Sequence, residues 1–235
     1  MSQICVFFNT TWRESGCIQS IMPKRSRSNI NQCQQEIIQY ESADYWERRY
    51  KGEEKVNTDT WYYGFETLEP LILKSVRSIP NCSSMLEIGC GDSPLLAALV
   101  KHEEMAHISK DDKLYGIDFS KEVIKKLLSD KDMSNDKIVY EYMDATKLTY
   151  ANELFDLILD KGTLDAVLCD KKSGIRNGLA VVSECVRVLK PTSKLMIVSN
   201  MGIDTERFEL FMRDCLLPVL SKYNLRTWKV SVPFF

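Results

Sequence analysis

Met85-Leu86-Glu87-Ile88-Gly89-Cys90-Gly91-Asp92-Ser93 is the stretch on which the fold turns. A short, mostly apolar strand, residues 85–88, runs into two glycines one residue apart. Glycine turns the chain sharply and lets a ligand approach the backbone closely. Ser93 follows as a candidate N-cap. Pro94 then takes the first helical position, where a missing N–H costs nothing. Leu95, Leu96, Leu99 and Val100 give that helix an apolar side. A lone Gly-x-Gly is a weak sign by itself, because any tight turn from strand to helix can use it.

Working outward, the same alternation repeats. Residues 114–119 read as a second strand. Ser120 caps a helix with Val123, Ile124, Leu127 and Leu128 on one face and Lys121, Lys125 and Lys126 on the other. Residues 138–143 and 155–159 are the third and fourth strands. A helix over 178–189 ends at Lys190-Pro191, residues 195–199 form a fifth strand, 208–220 a helix and 225–232 a sixth strand. Upstream, 34–50 reads as a helix with Ile37, Ile38, Tyr45 and Trp46 as its apolar positions. A polar loop spans 52–60, and Phe65, Leu68, Leu71, Ile72 and Val76 fit one further helix face. Strands alternating with helices predict a mostly parallel sheet covered on both faces. With right-handed crossovers this is a Rossmann-like, doubly wound α/β fold. Ligands of such folds sit outside the carboxyl ends of the strands, so the residues just after each strand are the ones to read.

The chain has 235 residues, room for one such domain, and 31 basic against 33 acidic residues give a net charge of −2. That balance excludes a basic nucleic-acid coat, and no nucleic-acid partner is expected. No uncharged apolar stretch reaches 18 residues, so no membrane span is expected. The eight cysteines (Cys5, Cys17, Cys33, Cys82, Cys90, Cys169, Cys185 and Cys215) are scattered, without a Cys-x-x-Cys pair. The only histidines, His102 and His107, are five residues apart and share no helix face well. No metal site is expected, and the thiols fit core positions in a reducing compartment, the cytoplasm. Residues 1–30 read as a flexible N-terminal tail. The apolar run 4–8 has no basic residues before it, which argues against a secretory signal. A transit peptide remains an alternative on the serines and on Arg13, Lys24, Arg25 and Arg27. Residues 23–27 suit a solvated basic tail better than a nuclear address.

The strand ends carry the chemistry. The second strand delivers Asp118 and Phe119, and a carboxylate there can accept both hydroxyls of a ribose. The third delivers Asp144 and Ala145, where an acid can accept from the exocyclic amine of adenine. The fourth ends in Asp160-Lys161-Gly162-Thr163-Leu164-Asp165. Any one of these acids could be a helix cap or a solvated loop charge. Together they suit a nucleoside that needs no phosphate contact. A third fingerprint glycine is absent, since position 94 is proline, and so is a Gly-x-x-x-x-Gly-Lys phosphate loop.

Residues 87–93, Asp118, Asp144 and the strand 155–159 resemble the motifs of the seven-stranded class I methyltransferases that use S-adenosylmethionine. Two narrower runs, Asp-Tyr-Trp-Glu-Arg-Arg-Tyr at 44–50 with Trp-Tyr-Tyr-Gly-Phe at 61–65, and Asp-Lys-Gly-Thr-Leu-Asp-Ala at 160–166, resemble the methyltransferase-like 13 group. Members of that group include lysine methyltransferases acting on translation elongation factor 1-alpha. The resemblance covers about residues 45–199. It implies S-adenosylmethionine as cofactor and a protein substrate such as elongation factor 1-alpha. Gly89 then matches the glycine against the cofactor's methionine part, with Glu87 and Gly91 in the same binding run. Asp118 and Phe119 match the ribose-and-adenine pair, and Asp144 and Ala145 the adenine contacts. Trp46, Tyr50 and Trp61 match aromatics that close over the cofactor, and Lys161 a contact from the fourth strand end. Aromatic faces and carboxylates both suit a sulfonium cation, although Trp46 and Trp61 could equally be packing residues. Asp160 and Asp165 are the candidate catalytic residues, holding an incoming ammonium and passing on its proton.

On this reading 31–80 is an N-terminal helical cap and 81–235 the methyltransferase domain. Two departures stand out. Thr192-Ser193 follows Pro191 where many relatives have two glycines, and only six strands can be read. The seventh, which usually closes the sheet in an antiparallel hairpin, is expected to be missing or to lie outside this sequence, leaving the sixth as an exposed edge. A small-molecule methyltransferase, a truncated relative that binds the cofactor without catalysis and a purely structural partner protein stay open as alternatives. The oligomeric state is left open.

Overall fold

A computed structural model describes residues 3–8, 40–53, 63–109, 112–133, 135–202, 205–223 and 228–231. The strands are β1 (Gln3–Phe8), β2 (Met85–Ile88), β3 (Leu114–Asp118), β4 (Ile138–Tyr142), β5 (Phe155–Lys161), β6 (Leu189–Ser199) and β7 (Trp228–Ser231). They form one sheet in the order β4-β3-β2-β5-β6-β1-β7. Every pairing among the described residues is parallel. The order reverses between β2 and β5, where Ile88 pairs with Asp160. The crevice expected at such a switch point therefore lies directly after Ile88.

The helices are α1 (Ala43–Lys51), α2 (Phe65–Arg77), α3 (Leu95–Leu99), α4 (Lys121–Ser129), α5 (Thr163–Val167), α6 (Gly174–Val188) and α7 (Glu206–Leu210). The last runs through a π-helical segment (Phe211–Leu216) into α8 (Leu217–Lys222). Their apolar stripes make two cores, one on each face of the sheet. Trp46, Ile72, Leu96, Leu99 and Val123 pack with Met85, Leu157 and Leu159 on one face. Val181, Cys185, Phe211 and Leu216 pack with Ile88, Ile158 and Ile197 on the other. All four β2 residues are buried, as a strand covered on both faces requires.

Local chemistry sets several boundaries. Ser120 caps α4 as expected, its hydroxyl accepting from the Val123 amide at 3.4 Å. Ser93 does not cap α3. Pro94 stands at the N-cap in extended conformation, and the orphan amides of Leu95 and Leu96 donate to the buried Glu87 carboxylate at 2.9 and 3.0 Å. Of the helix read over 34–50, residues 34–39 lie outside the described residues, and α1 covers the rest from Ala43. Glu47 docks α1 onto the sheet domain. Its carboxylate accepts from the Lys121 amide (2.8 Å), the Ser120 hydroxyl (3.1 Å) and the Glu122 amide (3.3 Å), the exposed donors of the first turn of α4. Partial burial pushes the Glu47 pKa up, but the Lys121 and Glu122 amides, the Ser120 hydroxyl and Lys51 outweigh it and hold the group below its ordinary value.

The seventh strand is a correction to the sequence reading. Gln3–Phe8, assigned there to a flexible tail, form β1 and lie between β6 and β7, with Gln3 opposite Lys194 and Ile4 opposite Trp228. A sheet position expected to be missing is filled from the N-terminal end of the chain, in parallel. β7 is the edge strand, as expected, but its neighbour is β1. Removing residues 1–8 takes away the strand partner of β7 among the described residues. Amides 228–231 are then expected to lose protection in hydrogen–deuterium exchange, with a lower Tm for the whole chain. Full protection of those amides in the shortened chain would contradict the pairing.

Candidate functional site

Gly89 and Gly91 both have φ +58°, a conformation that glycine adopts freely. The turn is also crowded. A Cβ on Gly89 would stand 2.0 Å from Thr163 Oγ1, and that hydroxyl donates to the Ile88 carbonyl at 3.0 Å, tying the end of β2 to the start of α5. The Gly91 amide donates to Asp118 Oδ2 at 3.0 Å, and the Ser120 amide to Asp118 Oδ1 at 2.9 Å. Burial raises the Asp118 pKa to about 6, with the Ser120 and Gly91 amides pulling against it. Burial raises Glu87 to about 7, against the pull of the Leu95 and Leu96 amides and of Lys161.

The cap meets this turn from above. A Cβ on Gly91 would stand 3.1 Å from Tyr50 Oη. Tyr50 stacks on Trp46 with ring centres 5.9 Å apart and planes at 29°. The Trp46 indole donates to the Tyr40 carbonyl at 2.7 Å, and the Arg49 guanidinium lies 5.6 Å from the Trp46 ring centre. Burial, and then the charges of Asp118 and Asp92, push the Tyr50 phenol well above its ordinary pKa. Trp46 and Tyr50 belong to the core and also line the cavity.

Between turn and cap lies a cavity of about 460 Å³, a size that holds a small ligand. It brings together Trp46, Tyr50, Gly89, Gly91, Asp118, Phe119, Asp144, Ala145 and Lys161 from five separate segments of chain. Trp61 lies outside the described residues. Glu87 does not line the cavity; it holds the turn from behind. The two candidate catalytic acids are also misplaced for that role. Asp165 is 2% exposed, accepting from the Ser199 hydroxyl at 2.7 Å and the Asn200 amide at 3.2 Å, so it fastens α5 to the end of β6. Asp160 is 1% exposed and accepts from the Thr163 amide at 2.9 Å, while its Oδ2 has no hydrogen-bond partner among the described residues. Burial and then the Asp165 charge raise Asp160 to about 7. Neither acid lines the cavity.

The lining also includes residues that the sequence reading passed over, among them Glu41, Arg49, Asp92 and Asp170. Arg49 was findable, because it stands three residues after Trp46, a spacing that puts two side chains on one helix face. The charged lining residues are five acids (Glu41, Asp92, Asp118, Asp144 and Asp170) and two cations (Arg49 and Lys161). Burial lowers the Lys161 pKa, while Glu87, Asp92 and Asp160 hold it up. Among the described residues no cluster of His, Cys, Asp and Glu could hold a metal ion.

Residues 81–219 match the family model described as a methyltransferase domain, more than half of the chain. The chain belongs to this methyltransferase family. It is 30% identical over 162 residues to the eEF1A lysine and N-terminal methyltransferase of Mus musculus, covering 68% of this chain and 22% of that protein. The Homo sapiens protein of the same name is 28% identical over 181 residues, covering 77% of this chain and 23% of the relative. The mitochondrial citrate synthase-lysine N-methyltransferase of Pongo abelii is 27% identical over 192 residues, covering 75% and 72%. The aligned region thus spans about a fifth of the length of the eEF1A relatives.

Two outcomes follow from the geometry. Gly89→Ala forces a left-handed alanine, at about 1–2 kcal/mol, into contact with Thr163. It should lower stability by more than that, and adding Thr163→Ala should recover part of the loss; urea unfolding of the two variants checks both. For Asp160, a folded pKa of about 7 lies above the ordinary value near 4. The folded protein therefore keeps a proton that the unfolded chain has released, so this group's contribution to stability falls as pH rises from about 4 to 7. Asp160→Asn should flatten that fall in unfolding curves taken across the window, and an unchanged slope would remove Asp160 as its source.

Proposed function

We propose that this chain binds S-adenosylmethionine and transfers its methyl group to the ε-amine of a protein lysine, with translation elongation factor 1-alpha as the first substrate to test. The observation that carries the reading is the single cavity in which the Gly89–Gly91 turn, Asp118 and Asp144 meet beneath Trp46 and Tyr50. The residues fit that cofactor. Gly89 and Gly91 line the cavity without side chains, which lets a ligand approach the backbone closely. Each Asp118 oxygen accepts one backbone amide and keeps a further lone pair for a ribose hydroxyl. Asp144 uses Oδ1 on the Thr146 amide at 2.8 Å and keeps Oδ2 for the adenine amine. When bound, the cofactor supplies an activated methyl group on a sulfonium.

The chain's own residues supply position and electrostatics. Five acids against two cations in the lining favour a cationic cofactor and a cationic substrate side chain over a phosphate. A lysine must lose its proton to attack, at a cost of about 4–5 kcal/mol at pH 7 from an ordinary pKa. The Trp46–Tyr50 roof, by excluding water, lowers that cost. The names of the relatives support lysine as the acceptor. We also propose the cytoplasm as the compartment, supported by the buried free thiols of Cys82, Cys90, Cys185 and Cys215.

Calorimetry of the full chain with S-adenosylhomocysteine tests the cofactor half. Binding is expected, weakened about tenfold or more by Asp144→Ala with little change in Tm, because Asp144 is exposed and closes only a local turn. Tritiated S-adenosylmethionine with purified elongation factor 1-alpha tests the other half, with label expected in methyl-lysine. A chain that binds neither form of the cofactor would refute the reading.

A further inference from the structure

The cavity lining has two cations, and they differ in setting. Lys161 rises from the end of β5 on the face that also carries Glu87, and the Glu87 charge is the strongest of those acting on it. Arg49 belongs to the cap. It sits one residue before Tyr50, with its guanidinium over Trp46. The charges of Arg49 and Asp92 both reach the Tyr50 hydroxyl, and that hydroxyl stands against Gly91. Arg49 from the cap and Asp92 from the glycine turn both line the cavity there, one positive and one negative. Asp118 also meets that turn, its Oδ2 accepting from the Gly91 amide at 3.0 Å, and Phe119 and Asp144 continue the lining past the ends of β3 and β4.

A ligand end carrying a carboxylate and an ammonium on one carbon matches the turn side, and a nucleoside matches the other. We propose that Arg49 is a cofactor-binding residue that holds the α-carboxylate of the amino-acid end of S-adenosylmethionine, with Asp92 suited to the neighbouring ammonium. A planar guanidinium can lie on an indole and still direct paired N–H donors at a carboxylate, which an ammonium cannot do. This inference rests on the cofactor reading above and adds to it which end of the ligand meets the cap.

Equilibrium binding separates the two. The full chain is titrated with three probes: S-adenosylmethionine, its decarboxylated form, which lacks only the carboxylate, and 5′-methylthioadenosine, which lacks the whole amino-acid end. Wild type is expected to bind S-adenosylmethionine about 10- to 100-fold more tightly than the decarboxylated form. Arg49→Gln should erase that ratio by weakening S-adenosylmethionine alone, Arg49→Lys should keep part of it, and 5′-methylthioadenosine should bind all three proteins equally. Unchanged binding of that last probe also shows that the variants are folded. Equal wild-type affinity for the first two probes would overturn the inference while leaving the cofactor reading intact. So would an Arg49→Gln variant that loses all three probes alike, since Arg49 would then act through Trp46. Wild type binding none of the three would overturn the cofactor reading and this inference together.

Discussion

The carboxylates of Glu87 and Asp118 are buried at the ends of β2 and β3; Glu87 spends both oxygens on the first amides of α3, and Asp118 spends one on the Gly91 amide after β2 and one on the Ser120 amide after its own strand. Buried acids are costly unless hydrogen-bonded. Here the bonds go to amides that a glycine turn and a proline-led helix start would otherwise leave unpaired. The result is a turn whose shape is set by Glu87 from behind and by Asp118 from the floor of the cavity. Thr163 closes the remaining side through the Ile88 carbonyl. A site preorganised in this way needs no ligand to assume its form, which is how a protein keeps reorganisation cost out of binding.

Ser120 extends that constraint to the cap. Its amide donates to Asp118 on the floor of the site, and its hydroxyl donates to Glu47 on α1. Glu47 in turn gathers the first amides of α4, so the helix that carries Trp46, Arg49 and Tyr50 is pinned within one turn of the floor it covers. Roof and floor are joined through one serine. A shift of α1 would break the bonds that cap α4 as well as open the cavity.

How much of this could be read in the sequence depends on what each residue has to reveal. Gly89, Asp118 and Asp144 were legible because residue type and place after a strand are enough to define them. The sense of a side chain was not legible from type. In β5, Lys161 shares a face with Leu157 and Leu159, while Asp160 shares one with Ile158. An acid and a base one residue apart thus took different sides of the sheet, and only Lys161 reached the cavity. Glu87 and Asp165 failed as site residues for a related reason: their partners are backbone amides and a hydroxyl far along or around the turn, which no motif spells out. β1 was missed because six mostly apolar residues, with no glycine turn or cap beside them, do not name neighbours some 190 positions away, as Gln3 and Lys194 are. Trp61 lies outside the described residues.

The misplaced acids still matter to the site, through charge. Lys161 is drawn toward neutrality by burial and held as a cation by Glu87, Asp92 and Asp160, while the same burial pushes Glu87 and Asp160 toward their neutral forms. Protonating any one of these groups changes the field on the others. The floor is therefore a layer in which one cation answers several acids, and Lys161 is largely occupied in balancing them. Arg49 lies outside that layer, on the cap, and a guanidinium keeps its charge whatever the floor does. A ligand carboxylate that met Lys161 would compete with Glu87 for it. One that met Arg49 would leave the balance of the floor undisturbed, and this asymmetry favours a cofactor bound with its amino-acid end toward α1.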